Sequence, residues 1–218
     1  MVFIMLKVFN VNFDRMSENK LDEIFTLRKI TFKDRLDWKV TCIDGKESDQ
    51  YDDENTNYLL GTIDDTLVCS VRFVEMQYPT MITGPFAPYF RDLDLPIDGF
   101  IESSRFFVEK ALARDKLGNN GSLSAILFLS MVNYARNCGY KGILTVVSRG
   151  MYTILKRSGW GITVINQGES EKNEVIYLLH LSIDSNSQQQ LIRKIQRVHN
   201  IDTHTLESWP LVVPSMTK

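Results

Sequence analysis

The stretch Ser122-Leu123-Ser124-Ala125-Ile126-Leu127-Phe128-Leu129-Ser130-Met131-Val132-Asn133-Tyr134-Ala135-Arg136-Asn137-Cys138-Gly139, with Gly142-Ile143-Leu144-Thr145-Val146-Val147-Ser148 after it, sets the architecture. Ser122 is placed to cap a helix and Gly139 to stop it. Between them Leu123, Ile126, Leu127, Leu129 and Met131 leave an almost wholly apolar body, so the helix must be buried. Residues 142–148 read as a strand. A short helix over 151–157 ends at Gly159, and strands follow over 163–166 and 175–181. Helices alternating with strands predict a central sheet covered by helices, an α/β fold.

Working upstream, residues 100–108 (Phe-Ile-Glu-Ser-Ser-Arg-Phe-Phe-Val) have the aromatic and β-branched content of a strand but carry four polar residues at the centre. Residues 58–63 and 66–74 flank the turn pair Asp64-Asp65 as a β-hairpin, with Arg72 inside its second strand. The Pro/Gly-containing stretch 79–99 reads as loop. Ser17 caps a helix whose apolar face runs through Leu21, Ile24 and Phe25 and continues to Arg28, a charge where a core residue belongs. Residues 2–9 read as a first strand. The segment 37–57 holds Asp44, Glu47, Asp49, Asp52, Asp53 and Glu54 without helix or strand period, so it is expected to be a long acidic loop. Downstream, a last helix over 187–199 precedes an irregular tail with Trp209 and Pro210, making 183–218 a C-terminal helix and tail. No repeat or linker divides the chain, which predicts one domain over 1–218.

Composition narrows the function. With 25 Lys and Arg against 27 Asp and Glu, a net charge of -2, there is no global field for a phosphate backbone, so a nucleic-acid partner is not expected. Cys42, Cys69 and Cys138 are odd in number and far apart, without metal-ligand spacing, so neither disulfide nor metal is expected and a reducing cytoplasm suits them. No apolar run approaches the roughly 20 residues that span a bilayer, and no membrane association is expected.

Arg28, Arg72 and Arg105 all fall in elements that otherwise read as core, and a buried unpaired charge costs several kcal/mol. Taken singly, such an arginine can lay its stem on apolar surface and keep its head in water. Three together point to a shared polar pocket, with Asp49, Asp52 and Glu102 as counter-charges, suited to a substrate with both amine and carboxylate groups. Trp38 has two readings, plain packing or stacking on a purine or sulfonium. The Gly118-Asn119-Asn120-Gly121 turn is either a loop or a set of backbone N–H groups for a phosphate. With His180, His199 and His204 scattered, Ser103 and Ser104 do not form a Ser-His-Asp set and are expected to be hydrogen-bonding groups.

These residues resemble the signatures of the LuxI-type acyl-homoserine lactone synthases, close to the EsaI and ExpI group. Arg28, Phe32 and Trp38 in the run 27–38 match the first signature, Asp49 and Asp52 in Ser48-Asp49-Gln50-Tyr51-Asp52 the acidic one, and Arg72 with Glu102, Ser103 and Arg105 the remainder. The resemblance covers roughly residues 5 to 182, and Trp209-Pro210-Leu211 looks like the group's C-terminal end; the stretch 186–207 looks least familiar.

What the resemblance implies is a GNAT-like three-layer α-β-α sandwich with a twisted mixed sheet, splayed between two parallel strands. It implies acyl transfer from acyl-acyl carrier protein to the amine of S-adenosylmethionine, then lactonisation with release of methylthioadenosine. S-adenosylmethionine is then a substrate, and no cofactor is expected. Glu102, Ser103 and Arg105 become the catalytic set, with Glu102 as base. Arg28, Phe32, Trp38, Asp49, Asp52 and Arg72 become the S-adenosylmethionine side, with Arg28 and Asp49 holding each other. Thr145, the sole hydrogen-bonding side chain of 143–147, falls on the acyl side with Phe106 and Met131. A threonine there implies a 3-oxo-hexanoyl or 3-oxo-octanoyl chain, whereas from the residues alone Thr145 satisfies itself locally. Carrier proteins are acidic, so Arg149, Lys156 and Arg157 are candidates for docking; otherwise they are an ordinary solvated helix end. The competing reading is a GNAT-type transferase using acyl-CoA on another amine.

Overall fold

In the computed structural model, residues 5–109, 111–112 and 123–214 are described. One eight-stranded sheet forms the middle layer. Its strands are β1 (Met5–Asn12), β4 (Thr56–Ile63), β5 (Thr66–Glu75), β6 (Phe100–Val108), β7 (Gly142–Ser148), β8 (Ile162–Glu169), β9 (Val175–Leu181) and β10 (Leu211–Pro214), in the order β10-β1-β4-β5-β6-β7-β9-β8. Two short strands, β2 (Cys42–Ile43) and β3 (Lys46–Glu47), make a separate hairpin.

Helices cover both faces. On one lie α2 (Leu123–Asn137), α3 (Arg149–Ser158), α4 (Ser185–Gln196) and α5 (Thr203–Glu207). The apolar body of α2 is buried as its sequence requires, in the main core between the sheet and Leu155, Leu191, Ile195 and Leu206. On the other face α1 (Glu18–Arg28) packs Ile24 with Phe32, Tyr58, Leu60, Leu67 and Phe107. A third cluster fills the space beneath the 79–99 segment, where Met76, Ile82 and Phe90 meet Leu144, Ile176 and Leu178.

The sheet parts in its middle. β6 and β7, parallel neighbours, pair at Phe100–Gly142, Ile101–Ile143 and Glu102–Leu144 and no further. Just beyond the last pair, the Thr145 hydroxyl donates to the Ser103 carbonyl at 2.9 Å, so a side chain takes over where the backbone ladder ends. On its other side β6 carries a bulge: between the pairs Ser70–Phe107 and Arg72–Ser104, β5 has one residue and β6 has two, Arg105 and Phe106. Arg105 accommodates the extra residue at φ 53°, a left-handed conformation that is costly for a β-carbon-bearing residue.

Several expectations are corrected. The first described strand is Met5–Asn12, later than 2–9. The acidic segment is not loop throughout: Asp44-Gly45, both at positive φ (49° and 78°), turn the β2–β3 hairpin, whose two-residue strands are too short to show a period. The last long helix is Ser185–Gln196, capped by Asp184. The tail is not irregular, since α5 leads into β10, which covers the free edge of β1 and buries Leu211 and Val213. Ser122 and the 118–121 turn lie outside the described residues. Ser17 caps α1 as expected, its hydroxyl accepting from Lys20 N.

Candidate active site

Three elements deliver three guanidinium groups to one place. α1 ends on Arg28, the middle of β5 carries Arg72, and the bulge in β6 turns Arg105 to the same face as Ser104. A regular strand would send consecutive side chains to opposite faces. The extra residue lets Ser104 hydrogen-bond Arg72 Nε at 3.1 Å while Arg105 reaches the same cluster. After Arg28 the helix widens into a π-helical turn over Lys29–Arg35, a rearrangement that recurs at functional sites. It places Phe32 beneath Trp38 with ring centroids 5.1 Å apart, and Arg105 lies over the Phe32 ring.

The β2–β3 hairpin and the turn after it bring the counter-charges. Glu47, completely buried, accepts from Arg28 Nε at 2.5 Å through one oxygen and from Arg105 through the other. Asp52 accepts from Arg28 and Arg72 at 2.8 and 2.7 Å and from the Tyr58 hydroxyl, and its second oxygen takes the Asp49 N–H. Asp49 accepts both Nη groups of Arg72, at 2.5 and 3.1 Å, and Arg105 Nη2 at 2.7 Å. Three positive charges thus meet three negative ones, which is how so many ions can be taken out of water.

The expected Arg28–Asp49 pair is present as a longer contact of 3.7 Å, within ion-pairing reach. Arg28 is held more closely by Glu47 and Asp52, because the hairpin carries Glu47 under the guanidinium while Asp49 faces Arg72 and Arg105. Exposure is confined to one end. The side chains of Arg28, Arg72 and Glu47 are fully buried and that of Asp52 is 3% exposed, whereas Asp49 and Arg105 retain 17% and 8%. One carboxylate and one guanidinium form the open rim.

The cluster sets its own protonation. Burial pushes Asp52 upward, but Arg28 and Arg72 overcome it and hold the carboxyl well below its usual range; Asp49 is depressed likewise, against burial, by Arg72 and Arg105. Arg105 is lowered by burial and by Arg28 and Arg72 beside it. Glu102 differs: it is buried, and burial raises its pKa despite the Ile82 N–H at 2.7 Å and the field of Arg72. Its second oxygen has no hydrogen-bond partner among the described residues. A buried carboxylate with a raised pKa and one oxygen free has the attributes of a proton acceptor.

Of the residues singled out from sequence, Arg28, Phe32, Trp38, Asp49, Asp52, Arg72 and Arg105 come together here. Glu102 lies two residues before Ser104 on the same strand, beneath the Thr80–Thr83 turn. Ser103 does not join them: its carbonyl receives Thr145, and Ser104 is the serine on the arginines. On the opposite face Phe106 stacks on Phe128 with centroids 5.0 Å apart, and Met131 is buried in the main core. Glu47, expected only as one member of an acidic loop, and Tyr58 are also site residues. The Asp-Gly turn at 44–45 was the available signal for the first, whereas nothing in the sequence marked the second.

The fold defines the class. A mixed sheet opened between two parallel strands, with helices on both faces, is a GNAT-like fold. A solved structure of a CoA-dependent acyl-homoserine lactone synthase, BjaI, with SAM and isopentyl-CoA superposes with a TM-score of 0.77 at 22% identity, covering 88% of this chain and 90% of that one. The sequence profile of the autoinducer synthase family matches residues 12–191. An acyl-homoserine-lactone synthase of Yersinia enterocolitica is 79% identical over 98% of this chain and 100% of its own length, and one of Pectobacterium carotovorum subsp. carotovorum is 54% identical over 97% and 98%. The chain belongs to the autoinducer synthase family. It is an acyl-homoserine-lactone synthase, an acyltransferase of quorum sensing.

Proposed function

We propose that the chain transfers an acyl group from acyl carrier protein to the α-amine of S-adenosylmethionine and then closes the lactone. The amine nitrogen attacks the thioester carbonyl, the carbon–sulfur bond breaks, and the carrier thiol leaves. The carboxylate oxygen then attacks the methionine γ-carbon, its bond to the sulfonium breaks, and methylthioadenosine leaves. The observation that carries this reading is the rim of the charge cluster: Asp49 and Arg105, paired at 2.7 Å, keep most of the cluster's exposure, the carboxylate for an ammonium and the guanidinium for a carboxylate, while the other four ions neutralise one another below. Trp38 over Phe32 offers an aromatic surface for the adenine or sulfonium.

Glu102 serves as base. A free α-amine has a reference pKa of about 7.7 to 8.0, so a raised carboxylate is a closer match for its proton than an ordinary one. The acyl chain enters where β6 and β7 part, with Thr145, Phe106 and Met131 on that side and a 3-oxo-hexanoyl or 3-oxo-octanoyl group as the expected cargo. Arg149, Lys156 and Arg157, all exposed on α3, meet the carrier. BjaI is a CoA-dependent synthase, so acyl-CoA is the second donor to test. Purified protein given S-adenosylmethionine with 3-oxo-hexanoyl-carrier, hexanoyl-carrier or hexanoyl-CoA should release equal amounts of methylthioadenosine and lactone from the carrier-bound 3-oxo substrate at the highest kcat/KM. A higher value with CoA would overturn the carrier assignment.

A further inference from the structure

Two neighbouring helices on the C-terminal side carry basic charge without acidic residues of their own. α3 and α4 together contain Arg149, Lys156, Arg157, Arg193 and Lys194 and no acidic residue, and Arg197 caps α4. All six side chains are exposed. Among the described residues none of the six has a carboxylate within ion-pairing distance, whereas six of the surface lysines elsewhere, Lys20, Lys29, Lys39, Lys46, Lys141 and Lys172, each have one, and the other unpaired cations, such as Lys7, Arg15 and Arg91, lie outside these two helices. A chain with a net charge of -2 thus keeps unpaired positive charge on these two helices.

The two helices present that charge as one surface. The α4 residue Lys194 donates to the carbonyl of Arg157 at the end of α3, at 3.4 Å, and Gly159 lies directly against Gln190. Arg193 and Arg197 are one helical step apart and flank that junction. Two exposed apolar residues sit within the basic surface, Ile154 one turn before Arg157 and Val198 one turn after Lys194. Uncompensated cations around a small apolar centre fit an acidic helix that has its own apolar stripe.

We propose that α4 supplies half of the acyl-carrier docking surface through Arg193, Lys194 and Arg197, with α3 supplying the other half. The inference rests on the acyl-carrier reading above and extends it to a helix that the signature residues do not reach. Charges at such a rim act mainly on association rate and are screened by salt.

The test compares wild type with R193E/R197E and the milder R193Q/R197Q, using acyl-carrier and, as a donor with no docking surface, the corresponding acyl-pantetheine. The charge reversal should raise KM for acyl-carrier roughly five- to tenfold at low salt and converge on wild type as salt rises, with KM for S-adenosylmethionine and turnover of acyl-pantetheine unchanged. R193Q/R197Q should fall between. If wild type uses acyl-carrier and neither variant alters its KM, the α4 surface is wrong while the carrier reading stands. If wild type does not transfer from the carrier, both fall.

Discussion

At the residue scale the site depends on which ions are sealed and which stand at the rim. Glu47 is sealed between Arg28 and Arg105. Removing it in Glu47→Ala leaves buried guanidinium groups short of a partner, which costs about 3–5 kcal/mol. Asp49 is the most exposed of the three carboxylates, so Asp49→Asn should lose activity far out of proportion to stability. Urea denaturation beside turnover separates the two, and the assignment fails if Glu47→Ala is no less stable than Asp49→Asn. That Arg28, Arg72 and Arg105 converge was legible in the sequence, because each is a charge on an otherwise apolar element. Asp49 and Asp52 were legible as their counter-charges; Glu47 was not, because it is delivered by a hairpin of two-residue strands.

At the element scale the decisive feature is the parting of β6 and β7. Thr145 stands at the fork, its hydroxyl donating to Ser103 O. A threonine hydroxyl has one proton, so reading a 3-oxo group requires that proton to leave the Ser103 carbonyl for the ligand. Thr145→Val keeps the shape and deletes the donor. It should lower the yield of 3-oxo-acyl over unsubstituted lactone about tenfold in competition, the equivalent of ~1.4 kcal/mol. Mass spectrometry of products from mixed hexanoyl- and 3-oxo-hexanoyl-carrier reads this ratio, and an unchanged ratio would leave Thr145 as a clamp between strands. The run 100–108 was readable as a strand with a polar centre. Its bulge was not, because a left-handed arginine at position 105 has no sequence signal and is fixed by register with β5. Ser104, and not the Ser103 named with the catalytic set, is the serine that bonds the arginines.

At the scale of the whole molecule the layered fold followed from the helix–strand alternation around α2, and the tail's return to β1 escaped, since four residues of strand carry no period of their own. Stability across pH should carry opposite signatures from the two kinds of buried carboxyl. Asp52 is depressed, so its stabilisation is complete above its ordinary value of about 3.9 and is lost as the pH falls below it through the folded value. Glu102 is raised, so its contribution is present below its ordinary value of about 4.3 and is lost as the pH rises through the folded one. Relative to wild type, Glu102→Gln should therefore gain stability between acid and neutral pH, while Asp52→Asn is most destabilised at neutral pH and approaches wild type in acid. Denaturant titrations across that range check the signs, and parallel curves for both variants would contradict them.

The central claim is that the open rim of the charge cluster, Asp49 beside Arg105, holds the amino-acid end of S-adenosylmethionine. Isothermal titration of the purified protein with S-adenosylmethionine, its decarboxylated analogue and its deaminated analogue tests it most directly. Each analogue forfeits one charge-assisted contact worth about 1.5–3 kcal/mol, so each should bind at least tenfold more weakly. Arg105→Gln should erase the penalty for the missing carboxylate, and Asp49→Asn that for the missing amine. Equal affinity for all three ligands in the wild-type protein would contradict the account.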